Sequence, residues 1–197
     1  MPWTTAARGG KVPIDSGAGV GSIWPMNATN DNLSRESRIG IQLYTVRNLV
    51  KGVAFKETLR SLAAIGFEGF EFAWEYGGLT PGELGAFMEE LGVTCCGLHA
   101  GLDQLLVPGH EVYEYARATR SPFITTSLAG SDQPWDLLLP QLDQAGRVAA
   151  DHGLVFTYHN HAQEFAGTPA PTAFDRLSGE TDPALVRLEL DIGWARK

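Results

Sequence analysis

The chain has 197 residues, 44% of them hydrophobic and 19% charged, with a formal net charge of −8 at pH 7. That composition suits one soluble globular domain, and an acidic balance with no offsetting Lys/Arg stripe argues against a nucleic-acid surface. No run of 18 or more apolar residues occurs, so nothing reads as a membrane span.

Residues 1–37 are rich in Gly, Ser, Thr, Asn and Pro, without helical or strand periodicity and without the apolar stretch of a secretory signal. They read as a disordered N-terminal extension, leaving 38–197 as the folded part. From there strands and helices alternate. A strand is predicted over 39–44, a helix over 55–65 ended by Gly66, and a strand over 67–73. The next helix opens on Thr80-Pro81-Gly82-Glu83, a capping box with proline at the first helical position, and closes at Gly92. A strand over 93–99, a helix over 111–119 and a strand over 122–128 follow. The helix over 135–152 carries Pro140, which predicts a break or kink. The fifth strand runs from Leu154 to His161, a short helix covers 171–177, and the sixth strand covers 185–192. Cys95 and Cys96 are adjacent within an apolar run, so they read as small buried hydrophobes in a reducing compartment, and the cytoplasm is the expected location.

Six strand–helix alternations with apolar outer faces predict an α/β fold with parallel strands. No Gly-x-Gly-x-x-Gly follows the first strand, which weakens a dinucleotide fold. Strand parity favours a (β/α) barrel of TIM type, incomplete at about six of eight units. Gln42, Glu71, His99, His159, His161, Glu189 and Asp191 fall opposite the large apolar side chains of their strands and toward the C-terminal ends, where barrel enzymes place their chemistry. On the fifth strand Phe156, Tyr158 and Asn160 point one way, and Thr157, His159 and His161 the other. On the sixth, Leu188, Leu190 and Ile192 oppose Arg187, Glu189 and Asp191. Buried charges need partners. A divalent metal or polar substrate would supply one reason for them; ion pairs of Arg187 with Glu189 or Asp191 would supply another. His110 and His152 read as surface or loop residues. Trp74 and Trp194 follow strand ends, where they could wall a sugar site.

Several segments resemble the xylose isomerase-like TIM barrels, the sugar phosphate isomerases/epimerases. They are Ile39-Gly40-Ile41-Gln42-Leu43-Tyr44-Thr45-Val46-Arg47, Ile65-Gly66-Phe67-Glu68-Gly69-Phe70-Glu71, Gly97-Leu98-His99-Ala100, Tyr158-His159-Asn160-His161 and Glu189-Leu190-Asp191-Ile192-Gly193-Trp194. The subgroup with His-Asn-His at strand five is the nearest in pattern. The resemblance implies a divalent metal (Mn, Mg, Co or Zn) at the barrel mouth and isomerisation or epimerisation of a sugar or cyclitol through an enediolate. It implies Asp191 and the His159 position as metal ligands, to which the i, i+2 spacing of the two histidines adds His161, and His159 and Glu71 are the candidate catalytic groups. His99, Glu164, Glu189 and Trp194 would contact substrate. Glu189 is also read as a partner of Arg187.

The family's seventh and eighth strands have no counterpart in six units. The chain is therefore expected to be a fragment, a truncated product, or one completed by another subunit, with a homo-oligomer as one form. Isomerase ancestry follows from the resemblance; whether these 197 residues turn over substrate alone is open. Two other readings stand beside it: a metal-dependent hydrolase barrel, since His-x-His also serves binuclear hydrolases, and a non-catalytic sugar-binding or assembly partner. No Gly-rich loop or Lys pair marks a phosphate site.

Overall fold

The structure, a computed structural model, describes residues 39–128, 131–167 and 171–196. The expectation of a disordered extension over 1–37 lies outside the described residues. Six strands, β1 (Gly40–Gln42), β2 (Gly69–Ala73), β3 (Thr94–His99), β4 (Phe123–Thr126), β5 (Val155–His159) and β6 (Arg187–Glu189), form one sheet in sequential order. All five pairings are parallel. The sheet curls. In a flat sheet, β3 and β6 would lie three strand spacings apart, roughly 14 Å, yet His99 Nε2 and Glu189 Oε1 are 3.3 Å apart. This is the incomplete α/β barrel that the alternation predicted.

Helices cover the outer face. In α1 (Phe55–Ile65), Phe55, Leu59 and Leu62 repeat at helical spacing and are buried, and Gly66 ends it at φ 112. α2 (Pro81–Leu91) opens on the predicted capping box: Glu83 N–H donates to Thr80 Oγ1 while the Glu83 carboxylate accepts from Thr80 N–H. α3 (Leu102–Leu105), absent from the sequence reading, is one short turn, and α4 (Glu111–Thr119) matches its prediction. α5 (Trp135–Asp151) runs through Pro140 without the expected break. Losing one backbone hydrogen bond there is outweighed by the buried stripe of Leu138, Leu139, Leu142, Ala145 and Ala149 against the sheet. α6 (Ala173–Glu180) starts two residues later than predicted, on a second capping box, Thr172 with Asp175. No helix among the described residues is long and apolar enough to cross a membrane.

The core lies between sheet and helices in two clusters, one around Phe55, Phe70, Phe72, Leu84 and Leu98, the other around Ile124, Leu142, Phe156 and Tyr158. Close helix packing depends on missing side chains. A Cβ on Gly146 of α5 would lie 2.6 Å from the Leu185 carbonyl oxygen. Gly146→Ala should therefore destabilise the fold by about 1–3 kcal/mol, read as a lower urea midpoint; an unchanged midpoint would show that α5 can slide.

At β6 the sequence reading needs correction. The strand is three residues long, and Leu188, Leu190 and Ile192, expected to be buried on its outer face, are 44%, 53% and 70% exposed. Alternation correctly opposed them to Glu189, but apolar character does not bury a face that no described helix packs over. Likewise Cys95 is buried whereas Cys96 is partly exposed; both are free.

Candidate functional site

A β-bulge sets the site's floor. β2 and β3 pair Phe70 with Cys95 and then Glu71 with Gly97, leaving Cys96 as the extra residue. A Cβ on Gly69 would lie 2.4 Å from Cys96 Sγ, so Cys96 faces inward alongside Gly69 and Glu71. Strict alternation from Cys96 would turn His99 outward. The bulge restores it to the inside, where His99 Nε2 lies 2.5 Å from Glu71 Oε1 and 3.2 Å from Gln42 Nε2. The Gln42 amide also donates to Glu71 Oε1 at 2.6 Å.

Glu189 joins this group from the opposite side. Its Oε1 lies 2.9 Å from His159 Nδ1 and 3.3 Å from His99 Nε2, while Oε2 accepts from Thr125 Oγ1 at 2.9 Å. Thr125 in turn meets Thr157 Oγ1 at 2.6 Å. One donor atom each from His99, His159 and Glu189 lies within 4.8 Å of the others. Two imidazoles and a carboxylate make a donor set that suits Zn, Mn or Co. Beyond them, His159 Nε2 lies 3.8 Å from Asp191 Oδ2, and the His161 ring stands 4.9 Å from that of His159. His161 Nδ1 is a buried nitrogen without a hydrogen-bond partner among the described residues, a polar atom that a ligand could satisfy. A cavity of about 280 Å³ opens above, lined by Gln42, Tyr44, Ala73, Trp74, His99, Ser127, His159 and His161.

Charge is unevenly shared. Burial alone would lower the pKa of His99, but the Glu189 and Glu71 carboxylates outweigh it and raise the imidazole from 6.5 to about 9. Burial would push the Glu189 carboxyl up; hydrogen bonds from His159 and His99 overcome this and hold it far below the usual carboxylate range. Burial, then the neighbouring His159, lowers the pKa of His161. The sign for stability follows from His99. Its folded pKa lies above its unfolded value, so its contribution is complete below pH 6.5 and is lost as pH rises through about 9. Metal-free protein should thus lose up to about 3 kcal/mol between pH 6 and pH 9.5, measured by urea melts. A flat profile, or His99→Gln protein with the same slope, would contradict the pairing.

The structure brings most predicted site residues together by routes that strand parity could not supply. β5 ends at His159, so His161 is not in the strand; it stands at the N-terminal end of the one-turn 3-10 helix Ala162–Phe165. Asp191 likewise lies past β6 and caps α7 (Ile192–Ala195), its Oδ1 accepting from Trp194 N–H at 2.9 Å. Trp194 reaches the site's edge, its ring 5.4 Å from His161. The expected pairing of Glu189 with Arg187 is replaced by the two histidines and Thr125, while Arg187 is exposed. Glu164 is fully buried. Its oxygens accept from Tyr158 Oη at 2.7 Å and from the His161 backbone N–H at 2.8 Å. Burial and that carboxylate drive the Tyr158 phenol far above its usual range. His152 stacks on Tyr113 and contacts the Pro108 carbonyl, and His110 caps α4.

Two supporting residues were missed. Thr125 holds Glu189 and could have been flagged by its inward parity opposite Ile124. Asn160, assigned by alternation to the face away from the histidines, is buried and clamps the β6 end: its Nδ2 donates to the Asp191 carbonyl at 3.1 Å and its Oδ1 accepts from Asp191 N–H at 2.9 Å.

No family model matches the chain. An inosose dehydratase of Bacillus velezensis is 42% identical over 67 residues, 33% of this chain and 21% of that protein's length. In fold, the chain is similar to a sugar phosphate isomerase/epimerase from Parabacteroides distasonis (TM-score 0.65, 16% identity, 85% of this chain and 70% of that one). It is also similar to a xylose isomerase-like TIM barrel protein from Mycobacterium smegmatis solved in complex with magnesium (TM-score 0.56, 14% identity, 72% of this chain and 57% of that one).

Proposed function

We propose that this chain, whose fold is that of the xylose isomerase-like TIM barrels, binds a divalent cation (Mn, Mg, Co or Zn) and a small polyhydroxylated ketone, a sugar or cyclitol, beside it. The reaction class is proton removal from the carbon next to the carbonyl, the step that epimerisation, ketose isomerisation and dehydration of such ketones share. The supporting observation is the His99–His159–Glu189 cluster at the strand ends. Similarity to inosose dehydratases, which covers a third of this chain, points the same way.

His159, His99 and Glu189 would hold the cation. When bound, it would stabilise the negative charge that develops on the carbonyl oxygen. Glu71, set by the Gln42 amide and 2.5 Å from His99 Nε2, is the acid/base group beside the cation. Thr125 fixes the Glu189 carboxylate, and Glu164 fixes the His161 backbone. Trp74 lines the cavity and would cover the ring's apolar face, and Trp194 stands behind His161 at the site's edge.

A second reading shifts the cation to the far side of His159. His159 Nε2 and Asp191 Oδ2, 3.8 Å apart, and the unpartnered His161 Nδ1 favour it; Glu189 would then only orient His159 through Nδ1. Incubation of the protein with Mn²⁺ and a panel of ketoses and inososes in D₂O, followed by NMR, tests the function. Metal-dependent loss of the proton signal beside the carbonyl, absent in His159→Ala, is expected. Metal and sugar binding without exchange would instead indicate a non-catalytic sugar-binding chain.

A further inference from the structure

The larger cavity is not the whole space at the strand ends. A second one, of about 160 Å³, is walled by Trp74, Tyr76, His99, Gln104, His110 and Glu111. Trp74 and His99 line both cavities, so the indole is a partition between them. Its backbone has φ 60, a conformation that bulky L-residues seldom adopt. Core burial does not account for it, because Trp74 is 50% exposed. A glycine would take that turn without strain. A strained, half-exposed tryptophan at the end of β2, edge-on to His99 at 5.6 Å and to Tyr44 at 6.0 Å, is kept for what its ring does.

The second cavity has the chemistry of a sugar subsite. Tyr76 stacks on Tyr115 at 4.0 Å, and the Tyr115 hydroxyl donates to the Leu79 carbonyl, so that aromatic wall is rigid. His110 Nδ1 accepts from Val112 N–H, leaving Nε2 as the nitrogen it can offer a ligand. Gln104 uses its carbonyl oxygen on Gly101 N–H, leaving its amide N–H groups as donors. The Glu111 carboxylate disfavours an anion. Aromatic faces with a few neutral donors and a carboxylate suit an uncharged ring bearing hydroxyls.

We infer that the substrate has two rings: a glycosylated keto-sugar or cyclitol whose reacting ring lies over His159 and whose neutral glycosyl ring lies beyond Trp74. This rests on the larger cavity being the ketone site. The test is calorimetric titration, with Mn²⁺ present, of a one-ring inosose, its glucosyl derivative and its glucuronosyl derivative. The glucosyl compound should bind at least tenfold more tightly than the bare ketone. Gln104→Trp, which fills the second cavity, should bring that ratio close to one. Glu111→Lys, on an exposed helix start, should turn the glucuronosyl compound from the weaker of the two-ring ligands into the stronger. A ratio near one in the unaltered protein, with the bare ketone still bound, would overturn the two-ring substrate and leave the ketone site standing. Failure of all three ligands to bind would overturn both.

Discussion

Glu189→Gln should weaken divalent-cation binding by more than the roughly 10–100-fold typical of losing an outer partner of a metal site. Glu189 is the one anionic member of the cluster and touches both imidazoles, at 2.9 and 3.3 Å. Glutamine has nearly the same shape but neither the charge nor two acceptor oxygens, so it cannot serve as an anionic ligand. The same change should bring the His99 pKa down from about 9, since the Glu189 carboxylate, with that of Glu71, is what raises it. Asp191→Asn is the companion experiment. With the cation at the His99–His159–Glu189 cluster, its effect should stay within the roughly 10–100-fold of an outer group. If calorimetry with Mn²⁺ reverses the order, so that Asp191 matters more than Glu189, the cation belongs on the far side of His159.

Glu164→Leu should destabilise the fold by about 3–5 kcal/mol, the largest stability loss expected from a polar substitution here. The carboxylate is fully buried and satisfies the Tyr158 hydroxyl and the His161 N–H together. Leucine fills the space and leaves both donors unpaired away from water, each costing about 1–3 kcal/mol. Glu164→Gln should fall between, because its carbonyl can accept from one donor while its amide nitrogen confronts the other. Urea melts measure both. A leucine variant as stable as the parent would show that Tyr158 and His161 find other acceptors, and that Glu164 faces ligand rather than protein.

Much of this organisation was legible in the residues. Period-3.6 stripes ended by Gly66 and Gly92 placed the helices, and the absence of a glycine fingerprint after β1 left the barrel as the better parallel fold. Parity placed Glu71, His99, His159 and Glu189 on the inside, and the structure has them there. It could not foresee the bulge that turns Cys96 inward as well as His99, because a bulge arises from pairing between strands rather than from one strand's pattern. It also failed past the strand ends. His161, Asp191 and Asn160 lie where the backbone has left the pleat, so alternation no longer governs their direction. The Glu189 partnership was misassigned to Arg187 for a related reason. Same-strand spacing shows only near neighbours, whereas curling brings β3 against β6.

Electron spin echo spectroscopy of the protein titrated with Mn²⁺ tests the central claim most directly, because it reads nitrogen bound to the ion. The cluster predicts nitrogen couplings from directly ligated imidazole, reduced in His99→Ala and in His159→Ala and lost when both are replaced. A spectrum that stays that of the free aquo ion as protein is added would contradict a metal site at these strand ends.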